Sequence, residues 1–133
     1  MKASIHPARR QSLAGVRLRK HSDYGRAYAA GRRRQSASMS WWLAPHEGGP
    51  RVGLTVGKVL GKAHERNRIK RRMREVLRRH VGLLPPGCDL IFHPRRTVLT
   101  LELPKLETEI VRILQQASAE AARISASAAR KQT

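Results

Sequence analysis

Residues 51–79 read RVGLTVGKVLGKAHERNRIKRRMREVLRR, and this stretch decides the fold. Apolar residues at every second position predict a half-buried strand over residues 51–56. A glycine-flanked connection follows at residues 57–61, and a helix is predicted over residues 63–81. Five side chains of this helix fall within about a quarter turn of one another at 3.6 residues per turn and are expected to face the core. They are Ile69, Met73, Val76, Leu77 and His80.

The downstream segments complete a strand–helix–strand unit. The prolines of LLPPG at residues 83–87 end the helix, and CDLIF at residues 88–92 predicts a short second strand. A βαβ unit implies that its two strands are parallel. A last helix is predicted after Pro104. Its apolar stripe consists of Leu106, Ile110, Ile113, Leu114 and Ala117.

The upstream segments predict one more helix and one more strand. A short helix is expected from an N-cap at Ser22 to Gly31, followed by a basic turn at residues 32–34. A strand is expected over residues 36–44 and a turn over residues 46–50. Alternation gives this strand two faces, one formed by Met39, Trp41 and Leu43 and the other by Ser38, Ser40 and Trp42.

The composition bounds the class of protein. The 133 residues carry 28 basic and 9 acidic side chains, a formal net charge of +19. Such a charge repels itself unless a polyanion neutralises it, so nucleic acid is the expected partner and an anionic membrane the second choice. Cys88 is the only cysteine, which excludes an intrachain disulfide and a cysteine zinc cluster. No apolar run approaches the ~20 residues of a membrane span, and we expect a cytoplasmic protein.

The organisation along the chain is expected to be one domain with two tails. Residues 1–15 are small, polar and basic, and we expect them to be mobile. The domain spans residues 16–117. Residues 118–133 are rich in alanine and serine, and this tail is expected to fray or to stay solvated.

The charge is densest in residues 62–79, which contain nine basic side chains and only two carboxylates. Like charges stand four residues apart on the predicted helix, at Arg68 and Arg72 and at Lys70 and Arg74. Each such pair destabilises an isolated helix by a few tenths of a kcal/mol, whereas contact with phosphates reverses the sign. The segment therefore predicts a nucleic-acid contact, to which the glycine–lysine turn before it adds only a weak signal.

These residues carry a specific family resemblance. The stretch over residues 51–75 resembles the signature of the protein subunit of bacterial ribonuclease P, with Arg-Asn-Arg-Ile-Lys-Arg at residues 66–71 as its most specific part. LRKHSDYGRAYAAGRR at residues 18–33 and CDLIFHPRR at residues 88–96 are similar to that family's first helix and last strand. The resemblance covers about residues 16–117.

The resemblance implies an α/β protein of the two-layer α+β type. Its mixed four-stranded sheet packs with three helices, as in the second domain of ribosomal protein S5. The βαβ crossover is of the uncommon left-handed kind, an exception to the usual right-handed rule.

The resemblance also implies a function. Such a subunit binds the catalytic RNA of ribonuclease P and the single-stranded 5′ leader of precursor tRNA, and it aids the endonucleolytic removal of that leader. The RNA performs the cleavage, with Mg²⁺ bound mainly by RNA and substrate and not by a protein site. Membrane and DNA are not expected partners. The expected contacts to the catalytic RNA are Lys58, Lys62, Arg66, Asn67, Arg68, Lys70, Arg71 and Arg74.

Some positions depart from the family pattern. The family commonly has Ser-Lys-Lys where this chain has Gly57-Lys58-Val59, so one cationic contact is absent. Asn67 is expected either to set the helix start or to contact a base edge or ribose. His64 and Glu65 stand where the family often has small or apolar residues, and Pro94-Arg95 reverses the family's arginine–proline order.

The few aromatic residues, 4% of the chain, suggest the leader cleft independently. Single strands bind on exposed aromatics in a basic groove. Tyr24 and Tyr28 share a helix face, and Trp42 shares a strand face with Ser40, so these four residues are expected to line the cleft. The alternative is that the aromatics are core residues, which is the role expected for Trp41.

Two other functions and a protein-borne nuclease are the alternatives to this one. A ribosomal or other structural RNA-binding protein fits the composition but not the motif at residues 66–71. A DNA-binding factor would need a partner helix where residues 51–56 predict a strand. The nine acids show no clustered pair for metal or general-base catalysis, and Cys88 with His93 does not make a zinc site, so no catalytic residue is expected.

Overall fold

The computed structural model describes residues 11–131, with side chains described up to residue 129. The helices are α1 (His21–Ala30), α2 (Ala63–Arg79) and α3 (Leu103–Lys131). The strands are β1 (Arg32–Gln35), β2 (Met39–Pro45), β3 (Arg51–Leu54) and β4 (Cys88–Pro94). Short 3-10 turns lie at Ala14–Val16, Lys58–Leu60, Val81–Leu83 and Arg96–Leu99.

The four strands form one mixed sheet in the order β1-β2-β4-β3. Strands β1 and β2 pair antiparallel, as do β2 and β4, whereas β3 and β4 pair parallel. Helix α2 connects the parallel pair, which confirms the βαβ unit predicted from residues 51–93. The left hand of this crossover stays an expectation from the resemblance.

The main core lies between one sheet face and helices α2 and α3. Met39, Trp41 and Leu43 of β2 face it, as their alternation predicts, together with Leu90 and Phe92 of β4. The helices cover them with apolar side chains of almost no exposure, which are Ile69, Met73, Val76, Ile110, Ile113 and Leu114. Burying each of these side chains stabilises the fold by about 1.5–3 kcal/mol.

Helix α1 lies on the opposite sheet face and is fastened there by polar contacts. The guanidinium of Arg51 on β3 donates to both oxygens of Asp89 on β4, at 2.8 and 2.9 Å, and to Asp23 on α1 at 3.2 Å. The Tyr24 ring lies directly on Gly53, where a Cβ would come within 2.8 Å of the Tyr24 hydroxyl. A side chain at this position would displace the Tyr24 ring, so glycine here lets α1 approach the sheet this closely.

Two predictions for the α1–β1 region are wrong. The arginines at residues 32–34 do not form a turn but an edge strand, since their backbone pairs with residues 41–43 of β2. Helix α1 begins two residues earlier than predicted, with Lys20 and not Ser22 at the N-cap. The reason is tertiary, because the Leu18 amide donates to the Val52 carbonyl at 2.8 Å and fixes the chain just before the helix.

The predicted tails are also more ordered than expected within the described residues. Helix α3 does not end near Ser118 but continues to Lys131, with Ala121 buried and Glu120 paired to Arg34 at 2.5 Å. At the other end, the Gln11 amide donates to the Arg78 carbonyl at 3.2 Å, and Leu13 packs against the core. The rest of the predicted tails, residues 1–10 and 132–133, lies outside the described residues.

Candidate nucleic-acid interface

The predicted RNA-binding side chains lie on the turn before α2 and on the solvent side of this helix. Lys58, Lys62, Asn67, Arg68 and Arg71 are exposed, and Arg66, Lys70 and Arg74 are half-buried. Among the ion pairs of the described residues, none includes any of the seven cationic members of this set. Their charge is thus available to a partner. Asn67 lies in the second turn of α2, so it does not set the helix start.

The start of α2 is held by Glu65. Its Oε1 accepts from the Lys62 amide at 2.9 Å, and its Oε2 accepts from Arg96 at 2.6 Å. These contacts, that of Arg96 above all, lower the pKa of Glu65 to about 2. Gly61, at φ +138°, makes the tight entry to the helix possible. Glu65 is therefore an N-terminal cap, and its partner Arg96 could not be found from sequence because it lies 31 residues away.

On one flank of α2, an arginine stabilises the fold by hydrogen bonds to backbone carbonyls. The Arg72 guanidinium donates to the carbonyls of Val98, at 2.8 Å, and Leu101. Burial, followed by the nearby charge of Arg68, lowers the pKa of Arg72. The Arg68 Nε donates weakly to the Leu99 carbonyl at 3.4 Å, which leaves its terminal nitrogens free. Of these two arginines, Arg72 fastens the turn before α3 and Arg68 remains a candidate for RNA contact.

An aromatic cluster formed by Tyr28, Trp42 and His93 lies on the opposite sheet face, under α1. The Tyr28 ring centroid lies 5.2 Å from Trp42 and 5.5 Å from His93, both edge-to-face, and Trp42 lies 4.5 Å from His93. The guanidinium of Arg33 lies over the Trp42 ring at 5.7 Å. Half-buried rings with a cation above them are the elements of a base-stacking platform.

The polar atoms inside this cluster are paired with each other. The Tyr28 hydroxyl shares hydrogen bonds with His93 Nε2 at 2.6 Å and with the Thr55 hydroxyl at 3.0 Å. Burial raises the pKa of Tyr28. Burial, together with the charge of Arg33, lowers the pKa of His93, so its imidazole is neutral at pH 7. The platform is therefore held rigid by its own hydrogen bonds.

The structure separates the four predicted cleft residues. Tyr28 and Trp42 belong to the aromatic cluster. Tyr24 lies beside it, with its ring centroid 6.3 Å from Tyr28, and its hydroxyl donates to the Leu18 carbonyl and accepts from the Leu54 amide. Ser40 lies on the same sheet face but is only 4% exposed, so it offers almost no surface to a strand.

Sequence reasoning missed His93, Thr55 and Arg33 as members of this site. His93 pairs with Ser40 across β2 and β4, and Arg33 pairs with Trp42 across β1 and β2. The signal that could have found them is alternation in β4, which places His93 on the same face as Ile91. The register between the strands was also needed, and the sequence does not give it.

Neither a metal-binding cluster nor a membrane-spanning helix is found in the part of the chain that the structure describes. Within residues 11–131 there is no group of three or more histidine, cysteine, aspartate or glutamate residues placed to hold a metal ion. None of the described helices is both long and apolar enough to cross a membrane.

Comparison with known proteins gives a consistent result. A family model described as Ribonuclease P matches residues 14–118. The ribonuclease P protein component of Finegoldia magna is 32% identical over 103 residues, covering 77% of this chain and 91% of that protein. That of Chloroflexus aggregans is 38% identical over 103 residues, covering 76% of each.

Solved structures agree with the sequence comparisons. The RNase P protein from Thermotoga maritima matches with a TM-score of 0.68 at 26% identity, covering 75% of this chain and 96% of that one. The Staphylococcus aureus RNase P protein matches with a TM-score of 0.66, also at 26% identity, covering 77% of this chain and 94% of that one.

Proposed function

The chain belongs to the ribonuclease P protein family, and we propose on this basis that it binds the catalytic RNA and guides removal of the 5′ leader from precursor tRNA. The observation that carries the proposal is the set of seven predicted cationic contacts on α2 and the turn before it, none of which forms an ion pair among the described residues. Such a face gains free energy when phosphates replace its counterions. The α2 face and the turn at Lys58–Leu60 are the proposed contact with the catalytic RNA.

The aromatic cluster is the proposed contact with the leader. Tyr28, Trp42 and His93 offer ring faces and edges, and the Arg33 guanidinium supplies a cation for the backbone of a single strand. Stacking tolerates different bases because every base has a π-face, which suits a leader of variable sequence.

Catalysis is proposed to reside in the RNA subunit. The described residues include no group of three or more histidine, cysteine, aspartate or glutamate residues that could hold a metal ion. The proposed roles of this chain are to screen phosphate repulsion and to hold the leader, with Mg²⁺ bound by RNA phosphates. Both roles lower the Mg²⁺ concentration at which the RNA cleaves. We place this reaction in the cytoplasm, with RNA and not DNA or a membrane as the partner.

A reconstituted cleavage assay tests the proposal. Precursor tRNA is incubated with a bacterial ribonuclease P RNA, with and without the protein, over a range of Mg²⁺ concentrations. We expect the protein to raise the cleavage rate strongly at low Mg²⁺ and weakly at high Mg²⁺. Failure to stimulate cleavage at any Mg²⁺ concentration, despite RNA binding, would instead favour a structural RNA-binding protein.

A further inference from the structure

A hollow of about 340 Å³ opens between the segment before α1, strand β3 and helix α2. Its floor is apolar and includes Leu13, Val52 and Leu77, and the Tyr24 ring forms one wall. Three arginines line it, Arg17, Arg19 and Arg74. The volume is at the low end for ligand pockets, suited to a flat ring system and not to a large cofactor.

The charge around this hollow is uncompensated. Its lining contains no carboxylate among the described residues, and no ion pair of these residues includes Arg17, Arg19 or Arg74. Burial, then the charges of Arg17 and Arg78, lowers the pKa of Arg74, which shows that the like charges act on one another. An anion placed between them would relieve this repulsion.

Arg51, in contrast to the arginines of the hollow, is neutralised by carboxylates of the protein itself. It lies on the neighbouring surface of β3 and is paired with both Asp89 and Asp23. Arg17 is held in place by its backbone, which forms a parallel bridge to Val52, while its side chain is exposed. The fold thus fixes the position of this cation without giving it a partner.

The hollow joins the two proposed RNA-binding surfaces. Tyr24 separates it from the aromatic cluster, with only 6.3 Å between the Tyr24 and Tyr28 ring centroids. Arg74 belongs both to the hollow and to α2. A single RNA strand bound on either surface can therefore reach the hollow without crossing the protein.

We propose that this hollow binds one unpaired RNA nucleotide, with the base against the apolar floor and its phosphate held by Arg17 and Arg74. The proposal rests on the proposed function, since it assumes that RNA covers these surfaces. The nucleotide comes either from the leader of precursor tRNA or from the catalytic RNA. Both offer the same chemistry, a flat base beside a phosphate.

Two substitutions remove the two halves of the site separately. Arg17→Gln removes a cation outside the α2 face, and Leu13→Trp fills the hollow while every charge remains. Arg112→Gln, an exposed arginine on α3, is the control for the loss of one positive charge. Each variant is assayed for binding to the catalytic RNA, and as holoenzyme for binding to precursor tRNA with and without its leader, at several salt concentrations.

We expect Arg17→Gln to weaken binding about fivefold and to lower the salt slope by about one unit, and Leu13→Trp to weaken it about tenfold with the slope unchanged. Loss confined to leader-containing substrate assigns the nucleotide to the leader, and loss of binding to the catalytic RNA itself assigns it to that RNA. If Leu13→Trp fails to fold in a thermal unfolding assay, the exposed Arg17 variant still decides.

Binding by both variants equal to that of Arg112→Gln in every assay would overturn the proposal. A Trp42→Ala variant tested in parallel separates this outcome from a failure of the proposed function. If Trp42→Ala loses leader affinity while the hollow variants do not, only the hollow is wrong. If the wild-type protein neither binds the RNA nor stimulates cleavage, the proposed function itself is wrong.

Discussion

Helix α2 and the aromatic cluster present their functional side chains in opposite ways. The seven predicted cationic contacts on α2 and the turn before it form no ion pair among the described residues, and four of them are exposed. In the aromatic cluster, Tyr28, Thr55 and His93 use their polar atoms on one another, and Arg33 lies over Trp42. The helix thus offers unpaired positive charge that a polyanion would neutralise, whereas the cluster offers ring surfaces whose positions are already fixed by internal contacts. Phosphate contact and base stacking are the respective interactions that these two surfaces suit.

The first test compares two arginines of α2, one that contacts the protein's own backbone and one that is exposed. Arg72→Ala leaves the carbonyls of Val98 and Leu101 without their donor, and an unsatisfied buried group costs about 1–3 kcal/mol. We expect the free energy of unfolding to fall by about 2–5 kcal/mol. Arg71→Ala, at the exposed neighbouring position, should change it by less than about 0.5 kcal/mol. Urea denaturation of both variants measures the difference, and equal losses would show that Arg72 has no special structural role.

The second test concerns the aromatic cluster. Trp42→Ala removes one stacking face, and we expect binding of leader-containing precursor tRNA to weaken by about 1–3 kcal/mol. Mature tRNA, which has no leader, should bind as before, and Trp42→Phe should restore part of the loss. Affinities of the reconstituted holoenzyme for the two RNAs provide the measurement. Equal losses on both RNAs would point to a folding defect and would remove the distinction between the two surfaces.

The third test concerns the charge on α2. Arg68→Ala combined with Lys70→Ala is expected to reduce the slope of log affinity against log salt by about 0.7–0.9 for each lost phosphate contact. The matched control is Lys105→Ala with Arg112→Ala on α3, which removes the same charge from exposed positions away from α2. Titration of the catalytic RNA at several salt concentrations gives the slopes. An unchanged slope in the α2 variant means that neither side chain touches phosphate.

The smallest expected effect is a pH dependence in the aromatic cluster. The folded-state pKa of His93 lies below its ordinary value, because burial and then Arg33 disfavour the imidazolium. Between that pKa and about 6.5 the unfolded chain binds more protons than the folded protein, so this contribution to stability is lost as pH falls through that window. Urea denaturation from pH 8 to 5 should show this loss in the wild type and less of it in His93→Gln. His64→Gln, on the exposed side of α2, should keep the wild-type dependence.

Much of the fold could be predicted from local patterns. The period of the apolar residues in 51–79 gave a strand and a helix close to their observed bounds, and alternation over residues 39–43 placed Trp41 in the core. These predictions hold because the period of the apolar face follows directly from helix and strand geometry. The errors are at residues 22, 32–34 and 118, where chain segments far apart in sequence decide the outcome.

The candidate site likewise has features that local sequence predicted and features that depend on distant segments. The sequence by itself determined the charge, the cationic helix and the family, because a helix places residues three and four apart on one face whatever surrounds it. Only the tertiary structure decided that Arg72 is structural, that Ser40 is buried, and that His93 joins Tyr28 and Trp42. The physical reason is that these outcomes depend on strand register and on carbonyls or rings about 30 to 65 residues distant, and no local period records which distant groups will meet.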